Sequence, residues 1–88
     1  MKQHKYTISS KEGLHARPAA QLSQLASQYK DRVDIIYENC QMTLKSIIGV
    51  MSLGIPEGAS FYIEVEGHQE EEMMTKIEHL LREEGLIE

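Results

Sequence analysis

The change of hydrophobic period near the end of the chain constrains the fold most. Residues 60–66 (SFYIEVE) alternate apolar and polar side chains, a pattern that predicts a half-buried strand. From about Gln69 to Glu84 the apolar residues recur at helical spacing instead, and Gly85 follows as a residue that commonly ends a helix. A half-polar strand followed by an amphipathic helix indicates a mainly antiparallel sheet with water on one face and helices on the other.

The preceding residues show the same two patterns in alternation. We predict a strand at 2–8, a helix from Pro18 to about Tyr29, strands at 32–37 and 40–44, and a short helix between Ser46 and Gly54. In the first strand, His4, Tyr6 and Ile8 fall on one side. The complete order is βαββαβα, which predicts one α+β domain over residues 1–88.

Three of the predicted boundaries rest on particular residues. Lys30 and Asp31 are expected to end the first helix, and Ser46 is a natural N-cap for the short helix. Between the paired strands, Glu38 and Asn39 predict a tight turn in which Asn39 adopts the left-handed backbone, because asparagine tolerates that conformation.

The charge of the chain is acidic and uneven, with a net value of −5. Residues 1–56 carry seven Lys/Arg and four Asp/Glu, whereas residues 57–88 carry two and ten. An acidic chain without a basic stripe is a poor nucleic-acid binder, and a run of about 18 apolar residues that would cross a membrane is lacking. Because the first residues contain no apolar signal core and Cys40 is the single cysteine, we expect a cytoplasmic location.

The segment GLHARPAA, residues 13–20, places a histidine and an arginine where a helix begins. Pro18 suits the first turn of a helix because its missing N–H loses no hydrogen bond there, so His15 and Arg17 lie at or just before the N-terminus. The first N–H groups of a helix lack intrahelical partners and carry about half a unit of positive charge, which favours phosphate binding. That field also disfavours imidazolium, so a neutral His15 could act as a nucleophile while Arg17 holds phosphoryl oxygens.

The residues alone leave a simpler interpretation open, because a single histidine near a helix start is often only a surface residue. His4, His68 and His79 show no metal-ligand spacing with His15, and there is no cysteine pair, so we expect neither a metal site nor a cofactor. The chain also lacks a nucleotide-binding glycine loop and a Ser-His-Asp arrangement. The residues alone therefore leave the role of His15 open.

Three segments resemble the histidine-containing phosphocarrier (HPr) family of the bacterial phosphoenolpyruvate-dependent sugar phosphotransferase system. They are GLHARPAA at 13–20, LKSIIGVMSLGI at 44–55 and REEGL at 82–86, and their spacing fits the family over essentially the whole chain. The resemblance implies an open-faced β-sandwich, in which a four-stranded antiparallel sheet carries three helices on one face. That architecture agrees with the order of elements predicted above.

The resemblance also implies roles for the residues at the helix start. His15 matches the histidine that accepts a phosphoryl group from enzyme I through Nδ1 and passes it to sugar-specific IIA proteins. Arg17 matches the arginine that helps to hold and release the phosphate. The backbone amides of Ala16 and Arg17 are the expected ligands of the phosphate oxygens.

Ser46 matches the regulatory serine of Gram-positive members, which the ATP-dependent HPr kinase/phosphorylase modifies. In the family, the phosphoserine form loses transfer from enzyme I and binds catabolite control protein A, a transcriptional regulator. A plain N-cap is the alternative interpretation of Ser46.

An exposed patch near His15 is implied to dock the partner proteins, although core packing is an alternative for its apolar members. The residues of this patch are Ala20, Gln24, Ile47, Ile48 and Met51. Two of them depart from the usual pattern: Ala20 stands where many Gram-positive members carry Thr, and Ile48 replaces a common Met.

Three other functions remain open at this point. The chain could be a regulatory paralogue that acts mainly through Ser46, but the known paralogue lacks the active histidine, whereas His15 and Arg17 are present here. It could serve the nitrogen-related branch of the same system, but the intact Ser46 segment favours the sugar branch. It could also be an unrelated α+β interaction module in which the histidine is incidental.

Overall fold

The computed structural model describes residues 1–88 and contains four strands and three helices. In chain order these are β1 (Lys2–Thr7), α1 (Ala16–Ala26), β2 (Arg32–Tyr37), β3 (Cys40–Thr43), α2 (Ile47–Ser52), β4 (Ser60–Glu66) and α3 (Glu70–Glu83). The strands form one sheet in the order β1-β4-β2-β3, and all neighbours are antiparallel. The predicted open-faced α+β sandwich with the order βαββαβα is therefore confirmed.

The core lies between one face of the sheet and the helices. Alternate residues of the two central strands are buried, namely Val33 and Ile35 on β2 and Phe61, Ile63 and Val65 on β4. The helices cover them with Leu22, Val50, Met73, Ile77 and Leu81, none of which is more than 1% exposed. Burying a side chain of this size contributes about 1.5–3 kcal/mol, so these residues hold the helices on the sheet.

Strand β1 follows its predicted alternation, but its position at the edge of the sheet limits how much it buries. Tyr6 is buried and Ile8, just beyond the strand, is only 1% exposed. His4 lies opposite the buried Ile63 of β4, so it is on the core-facing side of the sheet, yet it stays exposed. Its neighbour there is the Glu78 carboxylate of α3, whose Oε1 lies 3.9 Å from His4 Nδ1.

Helix α1 begins and ends earlier than predicted. It starts at Ala16 rather than Pro18, which leaves Pro18 as the third helical residue, and it ends at Ala26 rather than at Lys30. The backbone then tightens, because the N–H of Tyr29 bonds to the carbonyl of Ala26, three residues back. Tyr29 nonetheless remains in the core, so its apolar position in the pattern is correct although its helical state is not.

The hairpin between β2 and β3 has the predicted two-residue loop, but the special backbone conformation is at the other position. Glu38 has a φ of 55°, and it is the one non-glycine residue with positive φ, so Asn39 does not adopt the left-handed conformation. The predicted strand 40–44 ends at Thr43. Leu44 still donates its N–H to the carbonyl of Val33 (2.9 Å) and is fully buried.

Helix α3 ends at the glycine that the sequence marks for this purpose. Gly85 has a φ of 72° and donates its N–H to the carbonyl of Arg82 (3.0 Å), while Leu86 donates to Leu81 (2.9 Å). These two bonds form a Schellman motif, which satisfies the last carbonyls of the helix. None of the three helices has the length and apolar content needed to cross a bilayer.

Candidate functional site

His15 is the N-cap residue of α1. Its backbone is extended (φ −96°, ψ −176°), and its carbonyl accepts the first helical bond from Ala19 (3.1 Å). The imidazole is half-buried and makes no capping bond to the helix. Instead, its Nδ1 lies 3.0 Å from the carbonyl oxygen of Gly13. The ring thus lies beside the helix N-terminus without occupying its donors.

The first amides of α1 are free to bind an anion. The N–H groups of Ala16 and Arg17 have no acceptor within the protein, both residues are exposed, and Pro18 contributes no N–H at all. Two unpartnered donors at the positive end of a helix, next to a histidine, form a site that favours phosphate. Ala16 and Arg17 are the residues that the resemblance names as phosphate ligands, and that role stays a prediction.

Arg17 has a partner that the sequence did not reveal. Its Nε lies 3.7 Å from Oε1 of Glu84, the residue that follows α3, while 77% of the Arg17 side chain remains exposed. The side-chain amide of Gln21 lies against the same carboxylate, and in the amide orientation that satisfies both groups its nitrogen donates to the two oxygens at 2.9 and 3.0 Å. No local pattern indicates which end of α3 meets α1, so these contacts could not be predicted from the sequence.

The loop before His15 is anchored to the segment that follows α2. Leu14 donates its N–H to the carbonyl of Ile55 (2.9 Å), and Leu14 is buried. On the other side of α2, the buried Ser23 of α1 donates its hydroxyl to the carbonyl of Lys45 (2.7 Å). Helices α1 and α2 are therefore joined at both ends of α2, which fixes the short helix relative to His15.

Ser46 is the N-cap of α2, as predicted. Its Oγ accepts a hydrogen bond from the N–H of Gly49 (3.0 Å), and the residue is half-buried. Gly49 is closely surrounded, because a Cβ at this position would lie 2.9 Å from the Met42 methyl carbon and 3.2 Å from Ser46 Oγ. A Cβ here would press on the capping hydroxyl, whereas the Met42 methyl group, at the end of a flexible side chain, could move aside.

The apolar residues of α2 divide between the core and the solvent. Val50 is buried, whereas Ile48 is 83% exposed and Ile47 and Met51 are about half as exposed as that, at 42% and 43%. Core packing, the alternative for the predicted patch, therefore does not describe these three side chains. On α1, Ala20 is half-buried and Gln24 is exposed.

The most perturbed ionisable groups lie elsewhere, on α3 and the sheet. Burial, followed by a hydrogen bond to Glu78 (2.9 Å), raises the pKa of the Tyr6 phenol. Glu78 also pairs with Arg82, and that bond lowers the pKa of the Glu78 carboxyl. Hydrogen bonds to Glu64 and its neighbours raise the pKa of Arg32. No group of three or more His, Cys, Asp or Glu side chains is arranged to hold a metal ion.

Comparison with known proteins agrees with this geometry. A family model described as the PTS HPr component phosphorylation site matches residues 2–83. The chain belongs to the HPr family. A phosphocarrier role in the phosphotransferase system, together with enzyme I and IIA components, follows from this membership.

Solved structures extend the similarity to nearly the whole chain. The histidine-containing phosphocarrier protein of Mycoplasma is 32% identical, covers 99% of both chains and superposes with a TM-score of 0.96. The phosphocarrier protein HPr of Bacillus anthracis is 34% identical, over 90% of this chain and 94% of that one, with a TM-score of 0.82. The catabolite repression protein Crh of Bacillus subtilis, described as a swapped dimer, is also 34% identical, over 98% and 99%, with a TM-score of 0.73.

Proposed function

We propose that His15 is the residue that carries the phosphoryl group, from enzyme I to sugar-specific IIA proteins. The observation that carries this proposal is the position of the imidazole, which is half-exposed beside the unpartnered amides of Ala16 and Arg17. Transfer between two proteins needs an accessible nucleophile and a ready-made anion site more than it needs a deep cavity. In this proposal residues 1–88 form a single HPr domain that acts in the cytoplasm without a cofactor or a metal.

In the transfer from enzyme I, a ring nitrogen of His15 attacks the phosphorus atom of the donor. The new P–N bond forms as the bond to the donor breaks, and transfer to the IIA protein reverses the step on a new acceptor. The group that arrives carries up to two negative charges. The amides of Ala16 and Arg17 and the positive end of α1 stabilise these charges without any rearrangement of the helix.

Arg17 adds a positively charged side chain to the two backbone amides. Its guanidinium is largely exposed and contacts Glu84 only at 3.7 Å, a distance too long for a strong hydrogen bond. A phosphoryl group on His15 competes with Glu84 for this guanidinium and offers better bidentate geometry. When the phosphoryl group leaves, Glu84 takes Arg17 back, so the carboxylate favours release.

The half-buried Ala20 and the exposed residues Gln24, Ile47, Ile48 and Met51 form the docking surface in this proposal. The support is that α1 and α2 pack together and that the large apolar side chains of this set face solvent. Apolar side chains near the centre of an interface commonly dominate its binding energy, and a transient contact needs only a small area. Enzyme I and the IIA proteins would therefore use the same surface in turn.

Ser46 is the proposed regulatory site, phosphorylated by HPr kinase/phosphorylase. A phosphate on Oγ would sit at the N-terminus of α2, next to Ile47 and Ile48 of the docking surface. Its charge would repel an acidic partner there, and the phosphate itself would be a group that catabolite control protein A can bind. Incubation with ATP and the kinase should label the wild type and not Ser46→Ala, while Ser52→Ala, which alters an exposed serine of the same helix, should still be labelled.

The decisive experiment for His15 is labelling with enzyme I and phosphoenolpyruvate. The wild type should acquire an acid-labile, base-stable phosphate, and His15→Ala should acquire none. His68→Ala is the matched control, because His68 is exposed and distant in sequence from α1, and its labelling should equal the wild type. Absence of label on the wild type would remove the carrier function, and equal labelling of His15→Ala would move it to another residue.

The similarity to Crh supports a second candidate, a mainly regulatory role. Crh and the Bacillus anthracis HPr are equally identical to this chain, at 34%, so identity does not separate the two functions. The presence of His15 in the geometry described above favours the carrier. The two labelling experiments together separate the candidates, since a purely regulatory protein would be labelled on Ser46 by the kinase and ATP and would not be labelled by enzyme I and phosphoenolpyruvate.

A further inference from the structure

The hydrogen bond of the His15 ring has a chemical consequence for the reacting nitrogens. Nδ1 lies 3.0 Å from the carbonyl oxygen of Gly13, which is hydrogen-bonding distance. A carbonyl oxygen can only accept, so Nδ1 must be the donor in this bond. In a neutral imidazole only one nitrogen carries a proton, and the ring is therefore in the Nδ1–H tautomer, with the lone pair on Nε2.

The carbonyl that makes this bond is placed by a backbone conformation that other residues resist. Gly13 has a φ of +68°, in the left-handed region. It also packs directly on the chain that follows α2, because a Cβ here would lie 2.4 Å from the carbonyl oxygen of Ile55 and 3.1 Å from Pro56 Cα. Both are backbone atoms, so no flexible side chain could move aside. Any side chain at position 13 would displace the loop and with it the carbonyl.

We propose that Gly13 is a positioning residue for His15 that sets the tautomer of the resting ring through its carbonyl. This inference rests on the proposed function of His15 and adds a step to it. The nitrogen that the family resemblance implies as the phosphoryl acceptor, Nδ1, is the one that carries the proton at rest. The lone pair that Gly13 leaves exposed belongs to Nε2.

Transfer to Nδ1 then requires a tautomer change before the bond to phosphorus forms. The N–H···O bond to Gly13 breaks, the Nδ1 proton passes to water, and water returns a proton to Nε2, so the ring stays neutral. The freed Nδ1 lone pair then forms the P–N bond as the bond between the donor and phosphorus breaks. The Gly13 carbonyl thus opposes reaction at Nδ1 until the ring turns away from it.

Nitrogen-15 NMR of the His15 ring tests this inference on the isolated protein. In alkaline solution, where imidazoles are neutral, long-range proton–nitrogen spectra distinguish a protonated ring nitrogen from an unprotonated one. We expect the wild type to be mainly Nδ1–H, and Gly13→Ala to lower the ratio of Nδ1–H to Nε2–H about fivefold, the factor expected for the loss of one hydrogen bond. A wild type that is mainly Nε2–H would overturn the proposal, whether or not the variant folds.

A matched control separates tautomer control from general backbone strain. Gly58→Ala introduces the same methyl group at a φ of +87°, where no atom lies within 4 Å, so it carries the left-handed cost without the clash. Its His15 ring should keep the wild-type tautomer, and an equal change in both variants would contradict the proposal. The phosphoenolpyruvate labelling needs enzyme I, whereas these spectra do not. A labelled wild type with the wrong tautomer therefore removes only this inference, whereas an unlabelled wild type removes the carrier function and leaves the tautomer assignment to be judged by the spectra alone.

Discussion

The α1 N-terminus and the docking surface differ from α3 in how many of their groups have partners within the protein. On α3, charged residues have partners: Glu72 bonds to the Tyr29 hydroxyl (2.7 Å) and pairs with Lys76 (3.4 Å), and the carboxylate of Glu70 pairs with the N-terminal ammonium (3.0 Å). At the start of α1, two amides lack any partner, and Ile48 on α2 is 83% exposed. Groups left without partners in the free protein are the ones available to a phosphoryl group or to another protein.

The difference explains why an acidic domain can still receive an anion. Five of the ten acidic residues of the region 57–88 lie on α3, and several of these five are engaged in ion pairs or hydrogen bonds. The anion site lies at the N-terminus of α1, which has no acidic residue in its first turn, whereas the first turn of α3 carries Glu70, Glu71 and Glu72. Glu84 is the one contact between the two regions that involves the site, through Arg17. Stability and transfer are thus divided between different parts of a small fold.

The largest effect that separates the two regions should come from the core. Phe61→Ala removes a fully buried ring of β4 and should lower the free energy of unfolding by about 3–5 kcal/mol. Urea denaturation followed by circular dichroism measures this loss. A cost below about 1 kcal/mol would mean that the sheet face under the helices is not the source of stability.

An apolar residue of the docking surface should show the opposite behaviour. Ile48→Ala should change the free energy of unfolding by no more than about 0.5 kcal/mol, because the side chain is exposed. It should raise the KM of enzyme I for the protein about fivefold to tenfold, as truncation of a central interface residue does. Tyr62→Ala, which removes an exposed side chain from the sheet, is the matched control and should leave the KM unchanged. Unchanged kinetics for Ile48→Ala would remove this residue from the interface.

Ser46 is both the N-cap of α2 and the proposed regulatory site beside the docking surface, and two substitutions separate these roles. Ser46→Ala removes the bond to the Gly49 N–H and should lower the free energy of unfolding by about 1 kcal/mol. Ser46→Asp should keep the cap, because aspartate is an equally good N-cap residue, but its charge should slow phosphorylation by enzyme I. Full transfer activity in Ser46→Asp would argue against electrostatic control from this position.

The pairs on α3 predict how the protein responds to acid. Hydrogen bonds from Arg82 and then Tyr6 lower the pKa of Glu78 below its ordinary value of 4.5, and the Tyr29 hydroxyl and then Lys76 do the same for Glu72. A carboxylate with a lowered folded-state pKa adds stability above the unfolded value, and that stability is lost as the pH falls through the folded value. Below pH 4.5 the Tm should therefore fall, and it should fall less steeply in Glu78→Gln. Identical acid slopes would show that this network contributes nothing.

Sequence patterns predicted the elements well because each strand and helix shows its period locally. The alternation at 60–66 corresponds to β4, and Ser46 caps the short helix, since both depend on neighbouring residues only. The end of α1 was misplaced because the apolar position of Tyr29 continues the helical period after the backbone has left the helix. Periodicity reports which side chains are buried and does not report which backbone bonds are made.

The contacts around His15 show which parts of the site could not be predicted from the sequence. The histidine, the arginine and the helix start are adjacent in sequence, so they could be found there. Glu84 and Ile55 reach the site from distant parts of the chain, and only the packing of α3 and of the loop after α2 brings them to Arg17 and Gly13. Residues that act through tertiary contacts leave no local signal.

The β2–β3 turn provides the smallest predicted effect, on a residue outside both regions. Glu38 holds a φ of 55°, which costs a non-glycine residue about 1–2 kcal/mol, while glycine at the same place loses about 0.5–1 kcal/mol of additional chain entropy. Glu38→Gly should therefore stabilise the protein by about 0.5 kcal/mol in urea denaturation. Asn39→Gly is the matched control, because Asn39 has no positive φ to relieve, and it should destabilise the protein instead. The reverse pattern would place the left-handed residue at Asn39, where the sequence alone had assigned it.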